Sequence, residues 1–365
     1  MPLLEKKRKP PPRNLISLRA RGLQSSQVPA IAFALGGGSS HKQSMKILWM
    51  LPWLAGLMAW AGAAEHELWH SGNAGTSWER LNAPTSARIN ALAIAGEHLG
   101  AATDQGLFQS DDWGVTWREA EGAIGGKRTL CLAFFGTHLV AGTTDSGGWM
   151  SDKGGQSFRQ IEALREAAVR SLAVSGGRIF AGLDSGKVLV SNDLISWRDV
   201  SAGLPEGGQV FEIHGGAGGT VFAALYSQGF FELRNDVWTR LGRVAPLTLL
   251  ADGKVLIAGH NPGGLHKSAD GGETWRAIER GLLRNAASWV LHRQGSVYFY
   301  GTSGESGLYR SRDQGETWTP LNRAGFARSG VVAMASRGET LWVATTPSKL
   351  KNGLPDLADF GLGVQ

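Results

Sequence analysis

The 365-residue chain contains only one cysteine, Cys131, and this scarcity excludes two classes of protein. A single thiol can form neither an intramolecular disulfide nor a thiolate metal cluster, so a disulfide scaffold and a cysteine-rich zinc fold are both impossible. Cys131 lies in the apolar run 129–135, where no neighbour in the sequence favours a thiolate. We therefore expect a buried structural thiol rather than a reactive one.

Long runs of charge are also scarce, and the positive charge is concentrated near the N-terminus. The formal net charge is +6, but nine of the 37 lysines and arginines, and one of the 31 acidic residues, lie in residues 1–46. The remainder is close to neutral, which argues against a general binder of nucleic acid. The abundant residues are 52 glycines and 14 tryptophans, typical of many short strands joined by tight turns.

Residues 45–64 have the layout of a secretory signal peptide. Lys46 precedes an apolar stretch, and small residues precede Glu65. This pattern predicts a periplasmic or secreted protein. The alternative is a membrane anchor over residues 46–64, because the apolar run approaches the roughly 18 residues of a spanning helix. Pro52 and the small residues that follow the apolar stretch favour a cleaved signal peptide over an anchor.

The two ends of the chain have no repeat character. Residues 1–44 form a basic extension that contains proline and glycine. Its basic cluster is compatible with a nuclear-localisation or membrane-surface motif. Alternatively, translation begins at Met45, which fits a signal peptide better. We expect residues 1–44 to be disordered or not natively translated, and we assign no structure to the tail 347–365.

A short motif recurs seven times, with Ser and Asp followed by Gly, Thr and a closing aromatic residue. The clearest copies are 110–117, 268–275 and 311–318; weaker copies are 71–78, 151–158, 191–197 and 234–238. The closing aromatic residues fall at positions 78, 117, 158, 197, 238, 275 and 318, about 40 residues apart. Such regular spacing indicates a repeat architecture.

Three short apolar segments separate successive motifs, so each repeat contains four strands. Four-stranded units of about 40 residues are typical of β-propeller blades. The sequence predicts an all-β, seven-bladed propeller over residues 65–346. Its N-terminus begins at a third strand and its C-terminus ends on a first and a second strand, so we expect these outer and inner strands to pair and close the ring without an open edge.

The recurring aspartates are expected to have a structural role. Asp, Ser and Thr side chains bond neighbouring backbone groups and stabilise a tight turn, while Trp buries its ring between sheets. A catalytic carboxylate is needed once rather than seven times. The residues assigned to this role are Asp112, Trp117, Asp193, Trp197, Asp270, Trp275, Asp313 and Trp318.

These motifs resemble the Asp-box (BNR) repeat over roughly residues 66–346. Propellers with such boxes include sialidases, xyloglucan-cleaving glycosidases, sortilin-type receptors and the photosystem II assembly/stability factors. The last group is the most similar, with one ring of about 280 residues behind an export signal. The resemblance implies an exported, non-catalytic protein that binds a protein partner. We expect a monomer that needs no cofactor.

A carbohydrate-active propeller, either a lectin or a glycoside hydrolase, remains the alternative. The characteristic sialidase Arg-Ile-Pro segment is represented here only by residues 87–90, which lack the proline, and Tyr309 lies in an outer strand. Other glycosidases need two carboxylates across a cleft, and no motif marks such a pair. The nine histidines have no zinc-ligand spacing, so we predict no metal site.

Arginines recur where the chain enters the first strand of successive repeats. They are Arg88, Arg128, Arg170 and Arg328. In propellers this connection opens on the face where the central channel is reached, so these side chains are expected to form a basic arc. Arginine suits bidentate capture of carboxylates, and the resembling assembly factors carry an arginine patch. We expect an acidic segment of an envelope or membrane protein as partner, with a glycan as the alternative ligand.

Overall fold

The computed structural model describes residues 66–347, with gaps at 153–154, 156, 243–245, 261–262, 283–286, 304–306 and 322–328. The predicted extension 1–44, the predicted signal peptide 45–64 and the tail beyond Pro347 lie outside the described residues. Within the described part, no helix has the length and apolar character needed to cross a membrane.

The described strands form seven four-stranded antiparallel sheets, each one blade of a propeller. Blade 1 combines strands from both ends of the ring: β1 (Glu67–Ser71), β2 (Glu79–Leu81), β27 (Ser329–Arg337) and β28 (Thr340–Pro347). Blade 2 contains β3 (Ile89–Ala95), β4 (His98–Thr103), β5 (Gly106–Ser110) and β6 (Arg118–Glu119). Blade 3 contains β7 (Thr129–Phe135), β8 (His138–Thr143), β9 (Gly148–Ser151) and β10 (Phe158–Gln160).

The remaining four blades repeat the same order. Blade 4 contains β11 (Val169–Ser175), β12 (Arg178–Leu183), β13 (Val188–Ser191) and β14 (Trp197–Asp199). Blade 5 contains β15 (Val210–Gly215), β16 (Val221–Leu225), β17 (Gly229–Arg234) and β18 (Val237–Arg240). Blade 6 contains β19 (Thr248–Asp252), β20 (Val255–Gly259), β21 (Leu265–Ser268) and β22 (Arg276–Ile278). Blade 7 contains β23 (Ser288–Gln294), β24 (Val297–Thr302), β25 (Leu308–Ser311) and β26 (Thr319–Pro320). Two 3-10 turns are Glu162–Leu164 and Ala217–Gly219.

Blade 1 closes the ring in the predicted manner. Strand β1 pairs antiparallel with β28, with Leu68 opposite Ala344 and His70 opposite Trp342. Because this pairing joins the two ends of the propeller within one sheet, it removes the exposed edges that an open ring would present. The predicted seven-bladed all-β fold and its closure are therefore confirmed.

The core lies between adjacent blades, which approach each other closely at small residues. A Cβ atom placed on Gly142 of β8 would lie 2.6 Å from the Sγ atom of Cys131 and 2.7 Å from the Cγ1 atom of Val169 in the next blade. Burial raises the pKa of the Cys131 thiol to about 12. The thiol is thus part of the packing between blades 3 and 4, as the sequence predicts.

Each Asp-box closes a turn between the third and fourth strands. In blade 2, the Thr116 N–H and hydroxyl donate to the Asp112 carboxylate at 2.8 and 2.6 Å, and the Gly114 N–H donates to the Ser110 Oγ atom at 2.7 Å. The hydrogen bonds to the carboxylate, those from Thr116 foremost, lower the pKa of Asp112 to about 2. The carboxylate thus stabilises its own turn.

Three further boxes repeat this arrangement. Asp193, Asp270 and Asp313 each accept backbone and hydroxyl hydrogen bonds within their own turns. The closing indole N–H groups donate to backbone carbonyls, namely Trp117 to Asn82, Trp197 to Leu194, Trp275 to Gly272 and Trp318 to Gly315. These contacts satisfy the polar atom of these four indoles.

Candidate functional site

The first strands of the seven blades surround a central cavity of about 430 Å³. Asn90, near the start of β3, donates a hydrogen bond to the carbonyl of Thr129, at the start of β7, over 2.9 Å. Neighbouring inner strands therefore begin at the same end of the channel. This end, which we call the channel mouth, carries the residues that the sequence singled out as a basic arc.

A β-bulge directs one side chain of most inner strands toward this mouth. The strand register shifts near the start of six of the seven inner strands, leaving one residue unpaired in each: Asn90, Leu130, Arg170, Phe211, Trp289 and Val332. All of these except Leu130 line the cavity. Bulges are known to re-aim side chains in this way. The mouth therefore combines polar, basic, aromatic and aliphatic groups from five blades.

Arg88 directly precedes β3 and reaches the mouth from blade 2. Its guanidinium carbon lies 5.3 Å from the centroid of the Trp289 ring in blade 7. A cation over an aromatic face is attracted by the ring quadrupole. Arg88 and Trp289 are thus in contact across the mouth, although blade 1 separates their two blades in the ring.

Arg128 enters the mouth from blade 3 and is paired with an acid of blade 2. Its Nε atom donates to the Oδ1 atom of Asp104 at 2.8 Å, and the Asn90 amide donates to the same oxygen at 2.9 Å. Partial burial by itself raises the pKa of Asp104, but the hydrogen bonds from Asn90 and Arg128 outweigh it and lower the pKa below its usual value. The carboxylate therefore stays ionised and holds Arg128 in place.

Arg170 occupies a different position from the other two arginines, because it is the bulged residue of β11. Its Nε atom donates to the Oδ1 atom of Asp184 at 2.5 Å, and only 13% of its side chain is exposed. Asp184 is held in turn by its own N–H, which donates to the Ala168 carbonyl at 3.0 Å. Of the predicted arc, Arg88, Arg128 and Arg170 thus lie at the same end of the channel, each with a partner of its own, while Arg328 lies outside the described residues.

Titratable groups also line the cavity farther along the inner strands. His292 lies close to His214, and its Nε2 atom is 2.7 Å from the Ser336 Oγ atom. Loss of hydration, with a smaller contribution from the charge of His214, lowers the pKa of His292 to about 4. Glu212 lies 3.8 Å from the His214 Nδ1 atom and accepts a hydrogen bond from the Leu249 N–H. Among the described residues, no three acidic, histidine or cysteine side chains are placed to hold a metal ion.

Sequence reasoning missed the aromatic members of the mouth, Phe211 and Trp289. Both lie inside apolar strands, a context typical of core packing. A signal was nevertheless present, because Asn90 and Arg170 stand two residues before the recurring Leu92 and Leu172. The same position in β15 and β23 is occupied by Phe211 and Trp289. An alignment of the repeats therefore identifies this position in each inner strand, but not the bulge that turns its side chain toward the channel.

Comparisons with solved structures show which proteins share this fold. The structure described as YCF48 bound to D1 peptide has a TM-score of 0.63 and 18% identity, covering 75% of this chain and 93% of that one. YCF48 from Cyanidioschyzon merolae has a TM-score of 0.59 and 16% identity, covering 75% and 97%. The GH74 xyloglucanase from Xanthomonas campestris has a TM-score of 0.53 and 18% identity, covering 74% and 55%.

No family model matches the chain, and no curated protein matches it. At identities of 16–18%, the structural likeness shows the fold alone. The chain is a seven-bladed β-propeller structurally like YCF48 and the GH74 xyloglucanase.

Proposed function

We propose that this protein is an exported, non-catalytic propeller whose channel mouth binds an acidic segment of an envelope or membrane protein and thereby assists the assembly or stability of a complex. The observation that carries the proposal is the position of Arg88, Arg128 and Arg170, from three successive blades, at the same end of the channel. Guanidinium groups bind carboxylates in a planar, bidentate geometry, which suits an acidic partner.

The contacts of these arginines support a binding role. Asp104 and Asp184 orient Arg128 and Arg170 before any partner arrives, and Trp289 supports Arg88. Pre-ordered side chains lose less conformational entropy on binding, so more of the interaction energy contributes to affinity. The comparison with YCF48 adds a precedent, because a protein of this fold has been solved with a peptide bound.

A carbohydrate-active propeller is the second candidate, favoured by the likeness to a GH74 xyloglucanase. Glycoside hydrolysis needs one carboxyl group with a raised pKa that donates a proton. At the channel mouth, the pKa of Asp104 is instead lowered, and Asp184 is bonded to Arg170. Glu212 accepts a backbone hydrogen bond from blade 6. These contacts favour the binding role.

The proposal is tested by affinity capture from detergent-solubilised envelope, using the full chain as bait. The test variant is Arg88→Glu/Arg128→Glu. The matched control is Arg159→Glu/Arg198→Glu, which makes the same charge change on outer strands and likewise breaks one ion pair, that of Arg198 with Asp236. A stoichiometric protein retained by the wild type and the control, but lost from the test variant, supports the proposal.

Two results contradict this function. The first is equal capture by both double variants, which would place the binding surface away from the mouth. The second is hydrolysis of a defined oligosaccharide by the wild-type protein, which would favour the carbohydrate-active candidate. Circular dichroism and thermal melting of each variant confirm that folding is unchanged.

A further inference from the structure

The arginines of the channel mouth border a cavity whose opening carries apolar as well as polar side chains. Trp289 lies beneath Arg88, and Phe211 lies in the blade next to Arg170. Val332, the bulged residue of blade 1, adds an aliphatic side chain between blades 7 and 2. Positive charge and aromatic surface therefore occur together at one opening.

The cavity behind these residues is large enough for a side chain of a partner. Its volume of about 430 Å³ falls within the range of roughly 300–1,000 Å³ found for small-molecule sites. Below the bulges, its lining is mixed. Glu212, His214 and His292 lie there beside aliphatic residues of the inner strands, such as Leu92 and Ile213, which are at most 8% exposed because they pack between blades. The apolar surface open to a partner is therefore that of Phe211 and Trp289 at the mouth, both of which are partly exposed.

We propose that the cavity receives one aromatic or bulky aliphatic side chain of the acidic segment, while carboxylates on either side of it bind Arg88 and Arg128. This inference rests on the proposed function and specifies its ligand: an acidic peptide with a central apolar anchor. Charge complementarity selects this occupant, because Phe211 and Trp289 share the opening with arginines of blades 2, 3 and 4.

The two kinds of contact contribute differently to binding. Exposed ion pairs contribute little affinity each, because water and salt screen them, although they accelerate and orient association. Burial of an apolar side chain in a desolvated pocket contributes more, and such anchors dominate many interfaces. An anchor in the cavity would therefore supply affinity, whereas the arginines would supply selectivity for acidic segments.

The test uses fluorescein-labelled, capped nine-residue peptides with two glutamates on each side of one central residue. The central residue is phenylalanine, leucine or serine, and a fourth peptide carries lysines around phenylalanine. Affinity for the full-length protein is measured by fluorescence anisotropy. We expect the phenylalanine and leucine acidic peptides to bind at least about tenfold more tightly than the serine peptide, because only they bury apolar surface.

Two variants locate the anchor site, and a third variant serves as the control. Phe211→Ala and Trp289→Ala should each reduce the preference for phenylalanine over serine to less than about threefold. Phe134→Ala also shortens an aromatic residue of an inner strand, but Phe134 lines a separate cavity between blades 2 and 3. It should leave the preference unchanged. If Trp289→Ala fails to fold, Phe211→Ala carries the test.

The outcomes separate the inference from the function on which it rests. Equal binding of the three acidic peptides, lost in Arg88→Glu/Arg128→Glu, would overturn the apolar anchor and leave acidic-segment binding intact. A preference that survives both aromatic truncations would also overturn it. Failure of every acidic peptide to bind, or equal binding of the lysine peptide, would contradict the proposed function as well.

Discussion

Arg88 and Trp289 lie in contact at the channel mouth, with the guanidinium carbon 5.3 Å from the indole centroid. The two residues belong to blades 2 and 7, so the contact spans blade 1, in which the two ends of the propeller pair. Their pairing places a cation and an aromatic face at the same opening. It also links the proposed ligand-binding surface to the closure of the ring.

Replacement of Arg88 should separate the contribution of charge from that of geometry. Arg88→Lys retains the positive charge but loses the planar fork that stacks on the ring and binds carboxylates bidentately. We expect affinity for the acidic phenylalanine peptide to fall by about three- to tenfold, and Arg88→Gln to lower it further. Anisotropy titrations measure both, with Arg159→Lys on β10 as the control. Affinity for Arg88→Lys equal to that of the wild type would show that charge alone is sufficient.

The buried hydroxyl of an Asp-box is expected to affect stability. Ser110 is only 2% exposed, and its Oγ atom accepts the Gly114 N–H and donates to Asp112. Ser110→Ala leaves that N–H without its acceptor, so the free energy of unfolding should fall by about 1–3 kcal/mol. Urea denaturation measures the change, and Ser86→Ala, at an exposed position, should change it by less than about 0.5 kcal/mol. Equal effects of the two substitutions would argue against the role assigned to the box.

An ion pair joins blades 6 and 7, and removal of one member should destabilise the fold more than removal of the other. Lys267 is 4% exposed, and its Nζ atom lies 2.6 Å from the Oε1 atom of Glu316, which also binds Arg276. Glu316→Ala leaves a buried ammonium without its carboxylate. We expect a loss of about 1–3 kcal/mol, less than for a fully buried pair because Glu316 is 46% exposed.

Lys267→Met should be milder, at less than about 1 kcal/mol, because it removes the buried charge and keeps a side chain of similar length. Thermal melting of the two single variants and the double variant measures the coupling. A larger destabilisation by Lys267→Met than by Glu316→Ala would contradict this account of the pair.

His292 should make the stability of the propeller depend on pH. Its pKa is about 4 in the folded state, against 6.5 for the ordinary side chain, so the unfolded chain binds the proton more tightly. The stability associated with the neutral imidazole is fully present above about pH 6.5 and is lost as the pH falls toward 4. The loss is about 3 kcal/mol at most. His214 lies nearby, and its charge makes a smaller contribution to the lowered pKa of His292.

Denaturant unfolding of the wild type and of His292→Gln at pH 7.5 and pH 5 provides the measurement. The wild type should lose more stability between the two values than the variant does. His266, whose pKa is also lowered by burial, contributes in the same direction in both proteins and cancels in the comparison. Identical pH dependence in the two proteins would exclude His292 as the source.

The blade number and the ring closure were predictable from sequence because each depends on local signals. Ser110 and Thr116 both bond to Asp112 within a single turn, so their pattern can be recognised within eight consecutive residues. The half-blades at the two ends then require β1 to pair with β28. The predictions of blade number and ring closure are robust because each copy of the repeat indicates the same architecture.

The candidate site was only partly predictable. The sequence shows that Arg88 and Arg128 occupy the same position relative to the first strands of their blades, but it does not show their partners. Asp104 faces Arg128 from another blade, and Trp289 faces Arg88 across the mouth. Such contacts depend on the placement of whole blades around the ring, which no local pattern encodes.

The amino-acid sequence by itself determined the repeat, the turn chemistry and the order of the strands, because these follow from interactions within about 40 consecutive residues. Only the tertiary structure decided which side chains share the channel. The β-bulges turn Phe211, Trp289 and Arg170 out of their ladders, and ring closure brings residues of distant blades together. Because seven inner strands converge on one axis, residues far apart in the chain form a single opening that combines charge with apolar surface.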